Sequence, residues 1–463
     1  MAIIFGTDGW RGIIADDFTF ENVRRVSLAT ARYFKKHKKI KNGIVVGYDA
    51  RFMSREFAEI VAETIANQNV RVILSDTIST TPMVSLLSKK LNAAGGVVIT
   101  ASHNPAKYNG FKVKGDFGGP AHPEMIARVE KELRKLPKKL PPRKKTYAEL
   151  VRKKLIRTMD FTGAYIADLR GKLNIDWIKA RNVRIAFDAM HGAGQGVLDQ
   201  VLPLTVSIRD TFNPSFGGSH PEPLPQHLVD LSRKVKEYAC DIGIATDGDA
   251  DRVGAYDENG QFVDSHRIFA ILLKYLVEEK QLKGEVARSF SVSQLIDKMC
   301  GHYGITLHTT PIGFKHLCRL MTTRNIIIAA EESGGLGVMG HLPERDGIFI
   351  GLLLAEVMTM RRKPLSELVE EIMEQFGWHH FNRFDAHLTE KEKRRILATY
   401  KKLPKKIGGF KVKSVDTLDG FKFFVDNGWV LVRASGTEPL IRFYAEADTP
   451  QKVEELLTAA RSV

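Results

Sequence analysis

Three carboxylates alternate in the segment Thr246–Arg252: Asp247, Asp249 and Asp251. In an extended chain alternate side chains point the same way, so these three share a side. Three hard oxygen ligands suit Mg²⁺, which binds through a few carboxylates together with phosphate oxygens. Arg252 follows directly and can take a phosphate bidentately. The segment does not read as an EF-hand loop. Glu258 falls at the twelfth position, but Arg252 occupies the sixth, where glycine is needed, and a strand pattern precedes it. A solvated acidic turn is the plain alternative to a metal site.

Three further segments carry chemistry-bearing side chains. In Thr100–Pro105, Ser102 stands beside His103 and Asn104. A serine there can be a nucleophile or a phosphate carrier if its neighbours stabilise charge. A helix N-cap is the competing reading. The surroundings are not G-x-S-x-G, which argues against that class of hydrolase. Glu331–Gly335 offers carboxylates and a hydroxyl, groups that bind sugar hydroxyls or, more simply, cap a helix. Arg433–Pro439 combines an arginine, two hydroxyls and a turn permitted by Gly436, which makes convergent donors for an oxyanion or an ordinary turn. Gly192–Gly196 is neither a G-x-G-x-x-G fingerprint nor a Walker A loop, so NAD and ATP are not indicated. Its glycines read as a tight strand-to-helix turn.

Short β-branched runs deliver these segments. Ile44–Tyr48 reads as a buried strand, Glu56–Asn67 as an amphipathic helix and Val70–Leu74 as the next strand. Val97–Ile99 leads into Thr100–Pro105, Ile242–Ala245 into Thr246–Arg252, and Ile326–Ala329 into Glu331–Gly335. Earlier strands are expected at Ile44–Val46, Val183–Phe187 and Glu285–Phe290. The recurrence predicts three similar α/β domains with mixed, mostly parallel sheets, each presenting a polar loop at a strand's carboxyl end, where open sheets bind ligands. After Gly377 the pattern changes to short strands near Gly409–Val415, Phe421–Val425 and Trp429–Val432 and a helix over Pro450–Ala460, a smaller α+β domain. The expected boundaries are 1–150, 151–257, 258–372 and 373–463, with the Pro-rich basic stretch Leu136–Lys145 on the surface late in the first domain.

Composition narrows the field. A chain of 463 residues has room for two to four domains, and 43% hydrophobic with 27% charged residues excludes a disordered or fibrous chain. Cys240, Cys300 and Cys318 form no CxxC pair, which argues against a disulfide framework or thiolate zinc site and for reduced buried thiols. The N-terminus shows no signal-peptide pattern, and the longest apolar stretch, Gly347–Met360, is too short to span a membrane and carries Glu356. A cytoplasmic protein without a membrane partner is expected. The net charge of +15 calls for an anionic partner. Lysine clusters without interleaved aromatics argue against nucleic acid. A polyanion-binding protein is the non-enzyme alternative.

The four segments, in this order, resemble those of the α-D-phosphohexomutase family, and the resemblance covers essentially the whole chain. It includes Phe5–Gly12 (FGTDGWRG), the Ser102 loop, Tyr108–Lys112 (YNGFK), and the loops at Asp247–Arg252, Glu331–Gly335 and Arg433–Pro439. It implies a heart-shaped, four-domain molecule with one loop from each domain in a central cleft. It implies a phosphorylated Ser102, and one Mg²⁺ held by Asp247, Asp249, Asp251 and a phosphate oxygen on Ser102. Arg11, His103, Lys112 and Arg252 match positions that stabilise the transferring phosphate or move protons, with His103 and Lys112 both acid/base candidates. Glu331 and Ser333 match sugar contacts; Arg433, Ser435, Gly436 and Thr437 match the site of the non-transferring phosphate. Thr310–His316 resembles a substrate-contacting loop, which makes Lys315 and His316 lesser candidates. The implied reaction exchanges hexose 1-phosphate and hexose 6-phosphate through a hexose 1,6-bisphosphate that also serves as activator, in a monomer or homodimer whose partners are small sugar phosphates. Gly335 stands where mannose- and glucosamine-type enzymes commonly carry histidine, so glucose is the expected hexose. Mannose or glucosamine phosphates, or synthesis of glucose 1,6-bisphosphate on the same site, are the alternatives.

Overall fold

Ile44–Tyr48 is buried at every residue, as a strand covered on both faces must be. It lies at the centre of the first sheet. The computed structural model describes residues 3–6, 8–434 and 440–462. In the first sheet the strands are β1 (Trp10–Ile13), β2 (Ile44–Tyr48), β3 (Val72–Ser75), β4 (Gly95–Ile99), β5 (Tyr108–Gly115) and β6 (Ile156–Met159), in the order β1-β5-β4-β2-β3-β6. The second holds β7 (Ile185–Asp188), β8 (Thr205–Ile208), β9 (Ile242–Thr246), β10 (Val253–Tyr256) and β11 (Phe262–Val263), ordered β11-β10-β9-β7-β8. The third holds β12 (Glu285–Ser289), β13 (Leu307–Thr310), β14 (Ile326–Ala330) and β15 (Leu336–Val338), ordered β13-β12-β14-β15.

One motif recurs in all three. A parallel strand of the sheet centre (β4, β9, β14) runs into a short loop and returns as an antiparallel neighbour (β5, β10, β15). The loops so formed are those that begin at Thr100, Asp247 and Glu331. Antiparallel edges on parallel centres make these sheets mixed. β6 pairs with β3, so the first sheet runs past residue 150, and β11 carries the second past 257.

The first three units share an apolar core that runs from Val45 and Val84 through Phe187 and Ile244 to Leu352 and Ile372. The helix Gly347–Arg361 lies in it with all but its last two residues buried. Its apolar length therefore serves a core, and no helix among the described residues is long and apolar enough to cross a membrane. All three cysteines are free and buried.

The C-terminal unit has its own core. Its main sheet is antiparallel, made of β16 (His380–His387), β19 (Ser414–Asp416), β20 (Phe421–Val425), β21 (Gly428–Ala434) and β22 (Leu440–Ala447), ordered β16-β22-β21-β20-β19. β17 (Lys406–Ile407) and β18 (Phe410–Lys411) form a separate ribbon. The two eight-residue strands β16 and β22 lie outside the segments that the apolar runs mark as strands. Alternation explains why. One face of the sheet carries Phe443, Ala445, Val430 and Val432 into the domain core, and the other carries Arg383, Asp385, Arg433, Arg442 and Tyr444.

Candidate active site

Ser102 has a φ of 54°, the left-handed region that a non-glycine residue enters at a cost of about 1–3 kcal/mol. Its surroundings enforce that shape. Its N–H donates to Thr100 Oγ1 at 2.9 Å, and its carbonyl accepts from the Arg51 guanidinium at 2.6 Å. Arg51, fully buried, also donates to the carbonyls of Asn104, Pro105 and Tyr108 and pairs with Asp49. Loop Thr100–Pro105 is thus moulded around one guanidinium that the sequence reading did not single out. The hydroxyl this presents donates to Asp247 Oδ2 at 2.7 Å, across from the first sheet to the second.

Asp247, Asp249 and Asp251 are fully buried, and ligand oxygens from all three lie within 4.8 Å of one another. Oδ1 of Asp249 and Oδ1 of Asp251 are buried and accept no hydrogen bond. A buried carboxylate oxygen without a donor is costly, and a divalent cation is the partner that satisfies several together. The donor set therefore fits Mg²⁺. Burial, with Asp249 and Asp251 alongside, pushes the Asp247 carboxyl well above the usual carboxylate range. Lys112 sits against the same cluster, its Nζ 2.7 Å from Asp249 Oδ2, 3.0 Å from Asp251 Oδ2 and 2.9 Å from Asp8 Oδ2. Burial would lower its pKa, but Asp249, Asp251 and Asp8 outweigh burial and raise it, so the amine stays charged.

The opposite sign lines the cleft beside Ser102. Arg11 donates to Asn104 Oδ1, and Arg252 reaches Glu222 at 3.1 Å. His103 Nδ1 is 3.4 Å from Ser102 Oγ. Burial, then Arg252, Arg11, Arg442 and Arg383, hold its pKa well below the ordinary value, so the ring is neutral. Arg383 approaches Glu222 and Glu332 at 3.8 and 3.7 Å, which links the C-terminal sheet to the second and third units.

The third loop docks on the second. Gly334 accepts from Val253 N at 3.0 Å with its φ at 89°, and a Cβ there would lie 2.4 Å from Val253 O. Glu331 accepts from Gly313 N at 2.9 Å and faces Arg345; Ser333 is half-buried beside it. Lys315 lines a small cavity with Asp8 and Glu130, while burial and then Lys315 push the His316 ring down. Asp419 joins this region to the fourth unit, accepting from Ile312 N at 2.9 Å and pairing with Arg433 at 3.0 Å. Ser435, Gly436 and Thr437 lie outside the described residues.

Two side chains at the centre escaped the sequence reading as individuals. Arg345, 5% exposed, reaches Asp251 at 2.5 Å, Asp8 at 2.6 Å and Glu331 at 3.4 Å. Asp8 in turn binds Lys112. Asp8 falls inside the quoted Phe5–Gly12 motif, which was its only signal, whereas Arg345 had none.

A serine hydroxyl held against an acidic triad in this four-unit frame marks a phosphoryl-transfer enzyme of the phosphohexomutase class. Family comparison agrees over the whole length. The phosphoglucomutase/phosphomannomutase alpha/beta/alpha domains I, II and III match residues 2–139, 163–260 and 264–376, and the C-terminal domain of that family matches 386–462. A phosphoglucomutase/phosphomannomutase of Thermococcus kodakarensis is 31% identical over 99% of this chain and 97% of its own length. A phosphoglucosamine mutase of Carboxydothermus hydrogenoformans is 31% identical over 99% of this chain and 98% of its own. Among solved structures, one from Thermus thermophilus classed as a phosphomannomutase superposes with a TM-score of 0.87 at 33% identity, covering 100% of this chain and 99% of that one. The chain belongs to the phosphoglucomutase/phosphomannomutase family and is an enzyme of that phosphotransferase class.

Proposed function

We propose that the protein interconverts hexose 1-phosphate and hexose 6-phosphate, with glucose as the preferred hexose, through a phosphoserine at Ser102. The observation that carries this reading is the Ser102 hydroxyl, held in a left-handed backbone 2.7 Å from the buried triad. Asp247, Asp249 and Asp251 are the residues that would hold Mg²⁺ with an oxygen of the serine phosphate. When bound, the ion neutralises phosphate charge, most of what phosphoryl transfer asks of an enzyme. Phospho-Ser102 passes its phosphoryl group to a free hydroxyl of the bound hexose phosphate. The P–Oγ bond breaks as the new P–O bond forms, and the product is the 1,6-bisphosphate. The sugar then turns over in the cleft and its other phosphate returns to Ser102 Oγ.

Neutral His103 is the base that takes the hydroxyl proton, and it returns that proton to the departing Ser102 Oγ, 3.4 Å from its Nδ1. Charged Lys112 instead stabilises phosphoryl oxygens and orients Asp249 and Asp251. Arg11 and Arg252 steady the transferring group. Glu331 and Ser333 hold sugar hydroxyls, with Lys315 and His316 at the edge, and Arg433 with Ser435, Gly436 and Thr437 takes the phosphate that stays. Gly335 in place of a histidine supports glucose. The phosphoglucosamine mutase at 31% identity supports a second reading, glucosamine phosphate on the same site.

Steady-state rates on glucose, mannose and glucosamine 1-phosphates, with and without added bisphosphate, test both readings, together with mass spectrometry of Ser102. Turnover of none of the three, or a Ser102 that never carries phosphate, overturns the proposal. A glucosamine rate above the glucose rate replaces the first hexose with the second.

A further inference from the structure

Between Asp249 and Asp251 stands Ala250, with a φ of 57°. A non-glycine residue in the left-handed region stores strain, and here it sets how the flanking carboxylates point. Within the loop its N–H donates to Asp247 O at 3.0 Å, and a second hold comes from outside. The Ala250 carbonyl accepts from Gly347 N at 3.0 Å, and Gly347 is the first residue of the helix Gly347–Arg361 in the third unit. The contact is so close that a Cβ on Gly347 would lie 2.2 Å from Arg252 O. Four residues on, a Cβ on Gly351 would meet Ile244 Cγ2 at 2.7 Å, so the helix bears on β9 as well as on the loop that β9 feeds.

The start of this helix is fixed more firmly than a cap requires. Asp346 caps it by accepting from Phe349 N at 3.1 Å. Its Oδ1 also accepts from Tyr165 OH at 2.7 Å, and its Oδ2 pairs with His341 Nε2 at 2.8 Å. The His341 ring stacks on Phe349 at 3.9 Å, and Lys172 Nζ donates to its Nδ1 at 3.1 Å. With Nδ1 accepting, Nε2 carries the proton and donates to Asp346. Lys172 and Lys90 both pair with Asp168, at 2.8 and 2.7 Å. Tyr165, His341 and Asp346 are all buried. Capping needs only the Phe349 bond. The added donors fix orientation, much as outer groups orient metal ligands elsewhere.

We propose that Tyr165, His341 and Asp346 are positioning residues for the metal loop: they fix the start of the Gly347–Arg361 helix, and that helix start holds Ala250 so that Asp249 and Asp251 converge. This rests on the reading of Asp247, Asp249 and Asp251 as Mg²⁺ ligands.

The test is calorimetric titration of Mg²⁺ into the intact protein, alongside thermal unfolding without metal. Tyr165→Phe and His341→Gln are compared with Tyr275→Phe. Tyr275 donates at 2.6 Å to Glu356, which lies on the Gly347–Arg361 helix about two and a half turns past its start. Tyr165→Phe and His341→Gln should weaken Mg²⁺ binding about tenfold, while Tyr275→Phe lowers the melting temperature and leaves Mg²⁺ affinity unchanged. If the first two variants lose thermal stability but bind Mg²⁺ as the wild type does, they are scaffold residues only and the proposal fails. It fails too if Tyr275→Phe weakens Mg²⁺ equally, since general softening would then suffice. Should His341→Gln not fold, the near-isosteric Tyr165→Phe decides alone. A wild type that takes up no Mg²⁺, or an Asp249→Asn variant that binds it as tightly, overturns the metal reading itself.

Discussion

Gly248, in the loop of the acidic triad, lies against Ser102: a Cβ built on Gly248 would sit 2.3 Å from the Ser102 carbonyl oxygen. The neighbouring atom is backbone, in a loop moulded around Arg51, so it has little room to give. Gly248→Ala must therefore part the serine loop from the acidic triad. A misplacement of about 1 Å costs about a hundredfold in rate when geometry supplies the catalysis. We expect kcat to fall by about that factor, with the melting temperature lowered by only a few degrees. An alanine variant at near-normal kcat would show that this contact does not set the alignment.

Ser102→Ala removes the hydroxyl and its 2.7 Å bond to Asp247 but keeps a Cβ in the same backbone shape. Without a phosphate carrier the reaction has no covalent route, so mutase turnover should fall by about three orders of magnitude or more. The fold should survive, since Arg51 grips the loop through backbone carbonyls rather than through this side chain. Turnover and circular dichroism on one preparation separate the two effects. A folded variant with an intact rate would sink the assignment.

Chelation has a predictable sign. Three buried carboxylates, two of them with an oxygen that accepts no hydrogen bond, repel one another until a cation joins them. Removing divalent ions should abolish turnover, and adding Mg²⁺ should restore it. An ion that binds only the folded chain should, at a hundred times its dissociation constant, add about 2.7 kcal/mol to stability. Asp249→Asn should erase most of that thermal shift. A melting temperature indifferent to Mg²⁺ in the wild type would count against the triad as its site.

Much of this was legible in the chain because the chemistry-bearing loops each follow a β-branched run, and those runs are the buried centres of the sheets. Asp247, Asp249 and Asp251 could be read as a cluster because neighbours in sequence stay neighbours in space. Asp8 and Arg345, 337 positions apart, meet only after three units have packed together. Nothing near Arg345 in sequence separates it from any other arginine. The strands β16 and β22 were missed for a related reason. The face turned away from the domain core carries Arg383, Asp385, Arg442 and Tyr444 toward the cleft, which removed the apolar signal that marks a strand. The polar face that hid them is the one the site uses.

Lys422 gives the fourth unit a pH dependence. It is 2% exposed, with its Nζ 3.8 Å from the Trp429 ring centre, 5.4 Å from Phe290 and donating to Phe290 O at 3.0 Å. Burial, then Arg288, pushes the amine down from 10.5 to about 7. Unfolding returns it to the ordinary value, so between about 7 and 10.5 the unfolded chain binds a proton that the folded chain has shed. Stability contributed at this position therefore rises with pH across that window, by at most about 1.4 kcal/mol per pH unit, and is flat below it. Lys422→Met removes the titration and keeps an apolar stem among the aromatics. The wild type should gain on this variant in thermal stability as pH rises from 7 to 9, with the gap constant below 7. Parallel melting curves across that range would mean that the aromatic rings hold the ammonium charged and that Lys422 does not titrate near neutrality.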